Sequence, residues 1–325
     1  MRCPTLAELP APPPGKTGWP WTEEPASFAA TQLSGEAWPK ISIVTPSFNQ
    51  SGYLEQTIRS ILLQGYPDLE YIIFDGGSTD GSVELLEKYS PWLGYWVSER
   101  DNGSSDAMAK GLNRANGALL GMMCADDFYA QNALATLMRL HTAHPDDAVW
   151  AGSCHEVDLQ DRFIREMPPH IHSVETFGNW GGDAWFSTVA CLFDAKAYHA
   201  VGGMDPNIFI TNDFDLMFKL LKYGSISTTM EWITTVHCNP QSLARKMDAV
   251  THAAIVAVNY RHENYDMAAK VMVRFADMRL KYMPIEEVLK IRPAEDFILI
   301  IKPRVLLKGL AIRILQIVKR RLRGH

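Results

Sequence analysis

The chain reads as an α/β protein, a mixed sheet flanked by helices, with a helical region after it. Two observations carry this. Short β-rich apolar runs alternate with helical segments from Lys40 onward, and such alternation implies parallel pairing through right-handed crossovers. After "WITTVHCNPQS" the text turns helical to the end, which places a smaller region from about Leu243. At 325 residues, 47% hydrophobic and 21% charged, there is material for one large domain or two modest ones.

Each element follows from its own stretch. The first 39 residues hold eight of the nineteen prolines, including "PAPPPG" and "GWPWTEEP", and show no helical or strand period. They read as an extended arm (1–39) pinned by Trp19 and Trp21. "PGKTG" within it lacks the glycine and the strand that a phosphate loop needs, so it reads as a turn. "KISIVTPSFN" is a buried strand running into a loop, Leu54 to Leu63 has helical spacing, "LEYIIF" is a second strand and "DGSVELLEKYS" a second helix. "GYWVS", "GALLGMMCA", "AVWAGSCHEV" and "STVACLFDA" extend the sheet to about Ser242.

Charge and cysteines narrow the class. The net charge is −6, yet Lys302 to His325 holds eight Lys and Arg with no acid, leaving 23 basic against 37 acidic residues elsewhere. An acidic body argues against nucleic acid as a partner. Five scattered cysteines without a C-x-x-C pair fit neither a disulfide framework nor a zinc site. With no signal-peptide pattern and no apolar run of bilayer length, a cytoplasmic setting is expected.

The carboxylates at strand ends matter most, because ligands of open α/β sheets bind beyond the carboxyl ends of the strands. Asp75 directly follows "YIIF". Asp80, in "STDGS", reads instead as the cap of the next helix. That leaves Asp75 free to accept hydrogen bonds from a base or ribose. Asp126 and Asp127 stand where "ALLGMMC" exits, and two adjacent acids there call for a positive partner such as Mg²⁺ or Mn²⁺. A helix cap for "DDFYAQNAL" would occupy one of them at most. In "FITNDFDLMFKLLKYG", Asp215 is expected to cap a helix over Leu216–Tyr223, leaving Asp213 pointing elsewhere.

Taken in order, "VTPSFNQSGYLEQTIRSILLQGYPDLEYIIFDGGSTDGS", "SERDNGSSDAMAKGLNRANGALLGMMCADD" and "GGMDPNIFITNDFDLMFKL" resemble glycosyltransferase family 2, the inverting nucleotide-sugar transferases of GT-A fold. The resemblance spans 40 to about 242. It implies a donor pocket at Thr45, Pro46 and Ser47, with Asp75 on the base or ribose. It further implies that Arg100, Asp101 and Asp106 complete the donor site, on a loop "SERDNGSSDAMAKG" that closes over nucleotide or sugar. Asp126 and Asp127 fall on the metal-binding motif, Asp127 as the direct ligand and Asp126 beside the donor. Asp213 falls on the catalytic base, and His237 on a histidine near diphosphate or metal, where a purely structural histidine is an equal alternative. The motif reads Ala125-Asp126-Asp127, so its first acid is missing; Ala109 and Ala118 replace the commoner asparagine and glutamate.

These residues imply transfer of a sugar from a nucleoside diphosphate, a UDP-sugar foremost, to a hydroxyl of a glycan or lipid-linked acceptor in cell-surface polysaccharide or glycolipid assembly. A divalent cation would relieve charge on the leaving diphosphate, and Asp213 would take the acceptor proton. The tail sets Leu306, Leu307, Leu310, Ile314, Ile317 and Val318 on one helical face against Arg304, Lys308, Lys319 and Arg323. Such a helix suits an anionic membrane surface, placing the protein peripherally on the cytoplasmic leaflet; packing on the catalytic domain is the alternative. Competing functions are a sugar-phosphate nucleotidyltransferase, whose basic early loop is absent from "TPSFNQSGYLEQ", and a non-catalytic nucleotide-sugar-binding protein, which an intact Asp213 disfavours.

Overall fold

The computed structural model describes residues 3–25, 35–171, 174–178, 185–239 and 248–282, with positions 28, 31 and 32. The basic amphipathic helix expected near the end of the chain lies outside the described residues. In chain order the first half runs β1 (Ile41–Ser47), α1 (Ser51–Leu62), β2 (Leu69–Asp75), α2 (Ser82–Tyr89), β3 (Tyr95–Ser98), α3 (Ser104–Arg114) and β4 (Leu119–Met122). Then come β5 (Phe128–Tyr129), α4 (Ala133–Ala143), β6 (Val149–Val157), β7 (Phe163–Met167), α5 (Val174–Phe177) and β8 (Cys191–Asp194). The remaining elements are α6 (Ala195–Ala200), α7 (Asn212–Tyr223), β9 (Ile226–His237), α8 (Asp248–Arg261) and α9 (Tyr265–Tyr282).

The sheet has two halves of different character. Strands β3-β2-β1-β4 are parallel, joined by crossover helices. Beyond β4 the order continues β8-β6-β9-β5, antiparallel except for the β6–β9 pair, with β7 returning on β6. The parallel strands are covered on both faces, which explains why they read as continuous apolar runs rather than alternating ones. Their side chains still alternate between two cores. Ile41, Ile43, Tyr71 and Ile73 pack with Leu54, Ile58 and Ile61 of α1, while Val44, Ile72 and Phe74 face Leu112 of α3 and Phe214 of α7. Gly111 sets how closely α3 approaches: a Cβ there would lie 2.2 Å from Val44 Cγ1.

The proline-rich arm lies on the α1 side and surrounds one charge. Arg59 is fully buried, and its guanidinium donates to the carbonyls of Pro10 (2.8 Å), Pro20 (3.1 Å) and Trp21 (3.0 Å) and to the Tyr89 hydroxyl (3.1 Å). A buried guanidinium is tolerated only when its fork of donors is satisfied, and the arm supplies three of the acceptors. Trp19 Nε1 donates to the Tyr129 carbonyl at 2.7 Å.

Three local expectations are corrected. Helix α7 starts at Asn212, earlier than expected, because acids in a first turn complement the helix dipole. Asp215 is therefore inside the helix and not its cap; fully buried, it accepts from His262 Nε2 at 2.9 Å and pairs with Lys219 at 3.3 Å. Helix α4 begins only at Ala133, so neither Asp126 nor Asp127 caps it. Helix α3 begins at Ser104, so "SERDNGSSDAMAKG" is a loop only as far as Gly103. The helical end packs on α7: Val256 and Val258 of α8 and Val271 of α9 share a core with Phe214 and Phe218, and the His262 ring stacks on Phe218 at 4.6 Å.

Candidate active site

A cleft of about 840 Å³ opens where β1, β2, β3 and β4 end. Its walls include Phe48, Gly76, Arg100, Asp101, Cys124 and Asp126. This is the position where strand order reverses around β1, the natural crevice of such a sheet.

The β1 and β2 ends are tied together by their own polar groups. Asp75, only 2% exposed, accepts from the Gly77 and Ser78 amides (3.1 and 2.8 Å) and from the Ser78 and Ser98 hydroxyls (2.5 and 2.7 Å). Its acceptor capacity is taken up by the protein, so the expected contact with a base or ribose is corrected: Asp75 holds the loop that forms the wall. Asp80 does the same for two helices, accepting from the Ser82 amide at 3.1 Å and from the Ser51 amide at 2.9 Å. Thr45 is also corrected; fully buried, its hydroxyl accepts from Tyr71 at 3.1 Å beneath the cleft floor.

Pro46 and Ser47 do line the cleft, and Ser47 Oγ is buried with no hydrogen-bond partner. Beside them Phe48 stands 60% exposed. Asn49 fixes that loop from the left-handed region that asparagine tolerates (φ 52°), its amide donating to Ser78 Oγ at 2.7 Å and its Oδ1 accepting from the Thr79 amide at 2.9 Å. Gly76 fits under both walls; a Cβ would lie 3.0 Å from Asp101 Oδ2 and 3.2 Å from the Phe48 ring. Arg100 and Asp101 line the opposite wall, with Asp101 Oδ1 accepting from the Gly103 amide at 2.7 Å. Asp106 is not among the lining residues. It sits in the first turn of α3, accepting from the Asn102 amide at 3.1 Å and pairing with Lys110 at 3.0 Å.

At the end of β4 charge accumulates with little relief. Asp126 lines the cleft, whereas Asp127 is 8% exposed behind it, its Oδ1 accepting from the His237 amide at 3.1 Å. Burial pushes both carboxyls up, and for Asp127 the neighbouring Asp126 adds to it. His237 comes to the same place, but its ring is committed. Nδ1 bonds the Asp126 carbonyl and Nε2 the Asp161 carboxylate at 2.8 Å. Both partners are acceptors, which assigns a proton to each nitrogen. Burial opposes that charge, yet the bonds to Asp161 and the Asp126 carbonyl outweigh it and raise the pKa. With both nitrogens engaged, His237 would ligate a cation only by giving up one of these bonds.

A metal finds better donors nearby. Cys124 Sγ and carboxylate oxygens of Asp126 and Asp127 all lie within 4.8 Å of one another, the one such group among the described residues. Two carboxylates suit Mg²⁺ or Mn²⁺, and Ser47, whose Oγ is without a partner, lines the same cleft, so the donor set fits a divalent cation. Asp213 stands in the first turn of α7, accepting from Thr188 Oγ1 at 3.0 Å. Burial pushes its carboxyl up, and its charge reaches Cys124, joining the two ends of the site electrostatically. The residue before that helix, Thr211, holds φ +67°, a strained value for a β-branched side chain.

Comparison with known proteins agrees with this geometry. The Glycosyl transferase family 2 model matches residues 42–192. An uncharacterized glycosyltransferase of Mycobacterium tuberculosis is 30% identical over 184 residues, 56% of this chain and 68% of its own length. Bacillus subtilis TuaG, named for teichuronic acid biosynthesis, is 34% identical over 191 residues, covering 57% and 73%. The chain belongs to glycosyltransferase family 2. Its fold is GT-A, similar to the crystal structure of S. aureus TarS with a TM-score of 0.59 at 15% identity, over 86% of this chain and 53% of that longer one. TarS 1–349 in complex with UDP-GlcNAc gives 0.56 at 14% identity, covering 79% and 77%.

Three residues of this family 2 chain escaped the reading of its sequence. Phe48 directly follows the buried strand β1, a position where an aromatic carries a signal of its own. Cys124 reads as the last apolar residue of "ALLGMMC", although β4 ends at Met122. Asp161 lies in the turn between β6 and β7, where no periodicity marks it.

Proposed function

We propose that this family 2 protein transfers a sugar from a nucleoside diphosphate to an acceptor hydroxyl, with inversion at the anomeric carbon. One observation carries the reading: Asp126, from the acid pair that follows β4, shares a cleft with an exposed aromatic ring and an arginine, the parts a diphosphate and a base require. Phe48 offers its face to the base, while Arg100 and Asp101 hold the sugar or ribose. Ser47 Oγ donates to a phosphate oxygen. A divalent cation held by Asp126 and Asp127 would neutralise charge on the leaving diphosphate. Asp213 takes the acceptor proton, and burial, which raises its pKa, makes it a stronger base than an exposed carboxylate. In-line attack by one oxygen inverts the centre without a covalent intermediate.

TarS holds UDP-GlcNAc and UDP in its crystal structures, which makes a UDP-sugar the first donor to test. The name of TuaG points to a cell-surface polysaccharide as product, and a glycan or lipid-linked acceptor follows. The basic amphipathic stretch from Lys302 would hold the protein on an anionic cytoplasmic leaflet. Loss of vesicle binding on removing the residues after Pro303 supports that placement, and unchanged binding overturns it.

The experiment is a panel of nucleotide sugars with Mn²⁺ or Mg²⁺, scored for nucleoside diphosphate release against pyrophosphate release. Nucleoside diphosphate with one sugar is the expected result. Pyrophosphate would make the protein a nucleotidyltransferase, and tight binding without turnover across acceptors would make it a sensor.

A further inference from the structure

The proposed function leaves one cleft-facing group without a role, the thiol at the end of β4. We propose that Cys124 is itself a metal ligand and that its sulfur tunes this site toward softer divalent cations, Co²⁺, Zn²⁺ or Cd²⁺, over Mg²⁺. The proposal rests on the sugar-transfer reading only in that both use the same cleft.

The observations are independent of one another. Cys124 Sγ lies within 4.8 Å of carboxylate oxygens from both Asp126 and Asp127, so three donors converge on one point. Cys124 and Asp126 both line the cleft, so a cation there has an entry path. Ser47, 3% exposed, lines the same cleft at the end of the neighbouring strand β1, its hydroxyl lacking any partner. A buried hydroxyl without a hydrogen bond is destabilising, and a ligand or a metal-bound water in the cleft would relieve it. His237, the imidazole at hand among the described residues, already has both nitrogens engaged, by the Asp126 carbonyl and the Asp161 carboxylate. The third donor in the convergent group is sulfur.

Chemistry then sets the preference. Mg²⁺ takes oxygen ligands and gains little from a thiol, whereas affinity at mixed sulfur and oxygen sites rises from Mn²⁺ through Co²⁺, and thiolates favour Zn²⁺ and softer ions. Binding exchanges one proton for one bond: the Cys124 S–H breaks, the sulfur keeps the electron pair and donates it to the cation, and the proton leaves to solvent. No oxidant or reductant takes part.

The test titrates the full-length protein with Co²⁺ and with Cd²⁺, with and without UDP, following the thiolate-to-metal charge-transfer absorption in the near ultraviolet. A band saturating at one equivalent in the wild type and missing in Cys124→Ser is expected. In Cys124→Asp, an oxygen-only site, Mg²⁺ affinity should rise about tenfold or more. The wild type supplies a second readout: one equivalent of Cd²⁺ should protect Cys124 from alkylation, mapped by mass spectrometry. Metal binding by calorimetry with no band, an equal band in Cys124→Ser, or unprotected Cys124 would each overturn the proposal, as would an absence of binding under both conditions. A band without sugar transfer sinks only the transferase reading; transfer without a band sinks only the sulfur ligand.

Discussion

Asp75 and the Asp126–Asp127 pair occupy equivalent places, each where a buried parallel strand runs out into a loop, and they have opposite surroundings. Four hydrogen bonds from its own loop and from Ser98 saturate Asp75. At the end of β4 two carboxylates face each other across a short distance with a backbone amide and one buried imidazolium for relief. A strand-end acid is therefore not a site by position. It becomes one when the protein withholds the partners that would make it structural, and Asp213, with a single side-chain donor in Thr188, belongs with the second kind.

Substitutions can break this contrast in graded ways. The largest effect is expected at Asp213, where asparagine should lower transfer by about 10²–10⁴-fold while donor affinity by calorimetry stays near normal. Near-normal turnover would remove Asp213 from the base role. Because burial lifts its carboxyl, the acid limb of the rate should lie above the ordinary carboxylate range. The rate is lost as pH falls through that raised value, whereas the ionised form, disfavoured by the fold, makes stability decline as pH rises through it. Thr188→Val removes a bond that lowers this pKa, so the limb should move further up.

Next in size is Asp126→Ala, which should cost about 10²-fold in transfer and leave the urea midpoint within error. Asp75→Asn should behave in the opposite sense. Its new amide group faces N–H and O–H donors, so stability should drop by about 2 kcal/mol in denaturant titration. Any donor-affinity loss should recover when the protein is assayed at low temperature. If Asp75→Asn left stability untouched and abolished donor binding, the two strand ends would be alike after all. The smallest change is expected for Asp127→Asn. Removing one of two neighbouring buried charges should stabilise the metal-free protein by roughly 1 kcal/mol, read as a higher thermal midpoint.

The parallel half of the sheet was legible because strands covered on both faces leave continuous apolar runs, and "SIVTP", "YIIF" and "ALLGMM" are such runs. Which carboxylates are satisfied was not legible. Asp75 is silenced by the turn that Gly77 and Ser78 make, a matter of backbone conformation rather than residue type. Helix α7 reads as starting late because Asp215 favours a cap in isolation, and only its bonds to Lys219 and to His262, just beyond α8, show it to be interior. The family resemblance offers His237 equally as a ligand or as a structural histidine; Asp161, 76 positions away, engages its ring. Phe48 and Cys124 lie within the family-like stretches, and their roles emerge from exposure and convergence.

The arm around Arg59 has a consequence for where this protein begins as a physical object. The sequence pattern that defines the family starts at residue 42, yet three of the carbonyls that neutralise the buried guanidinium belong to Pro10, Pro20 and Trp21. Cutting at the family boundary would remove three of the four acceptors of this guanidinium together with the arm that covers it. The smallest self-sufficient piece of this chain is longer than the stretch by which its kinship is recognised.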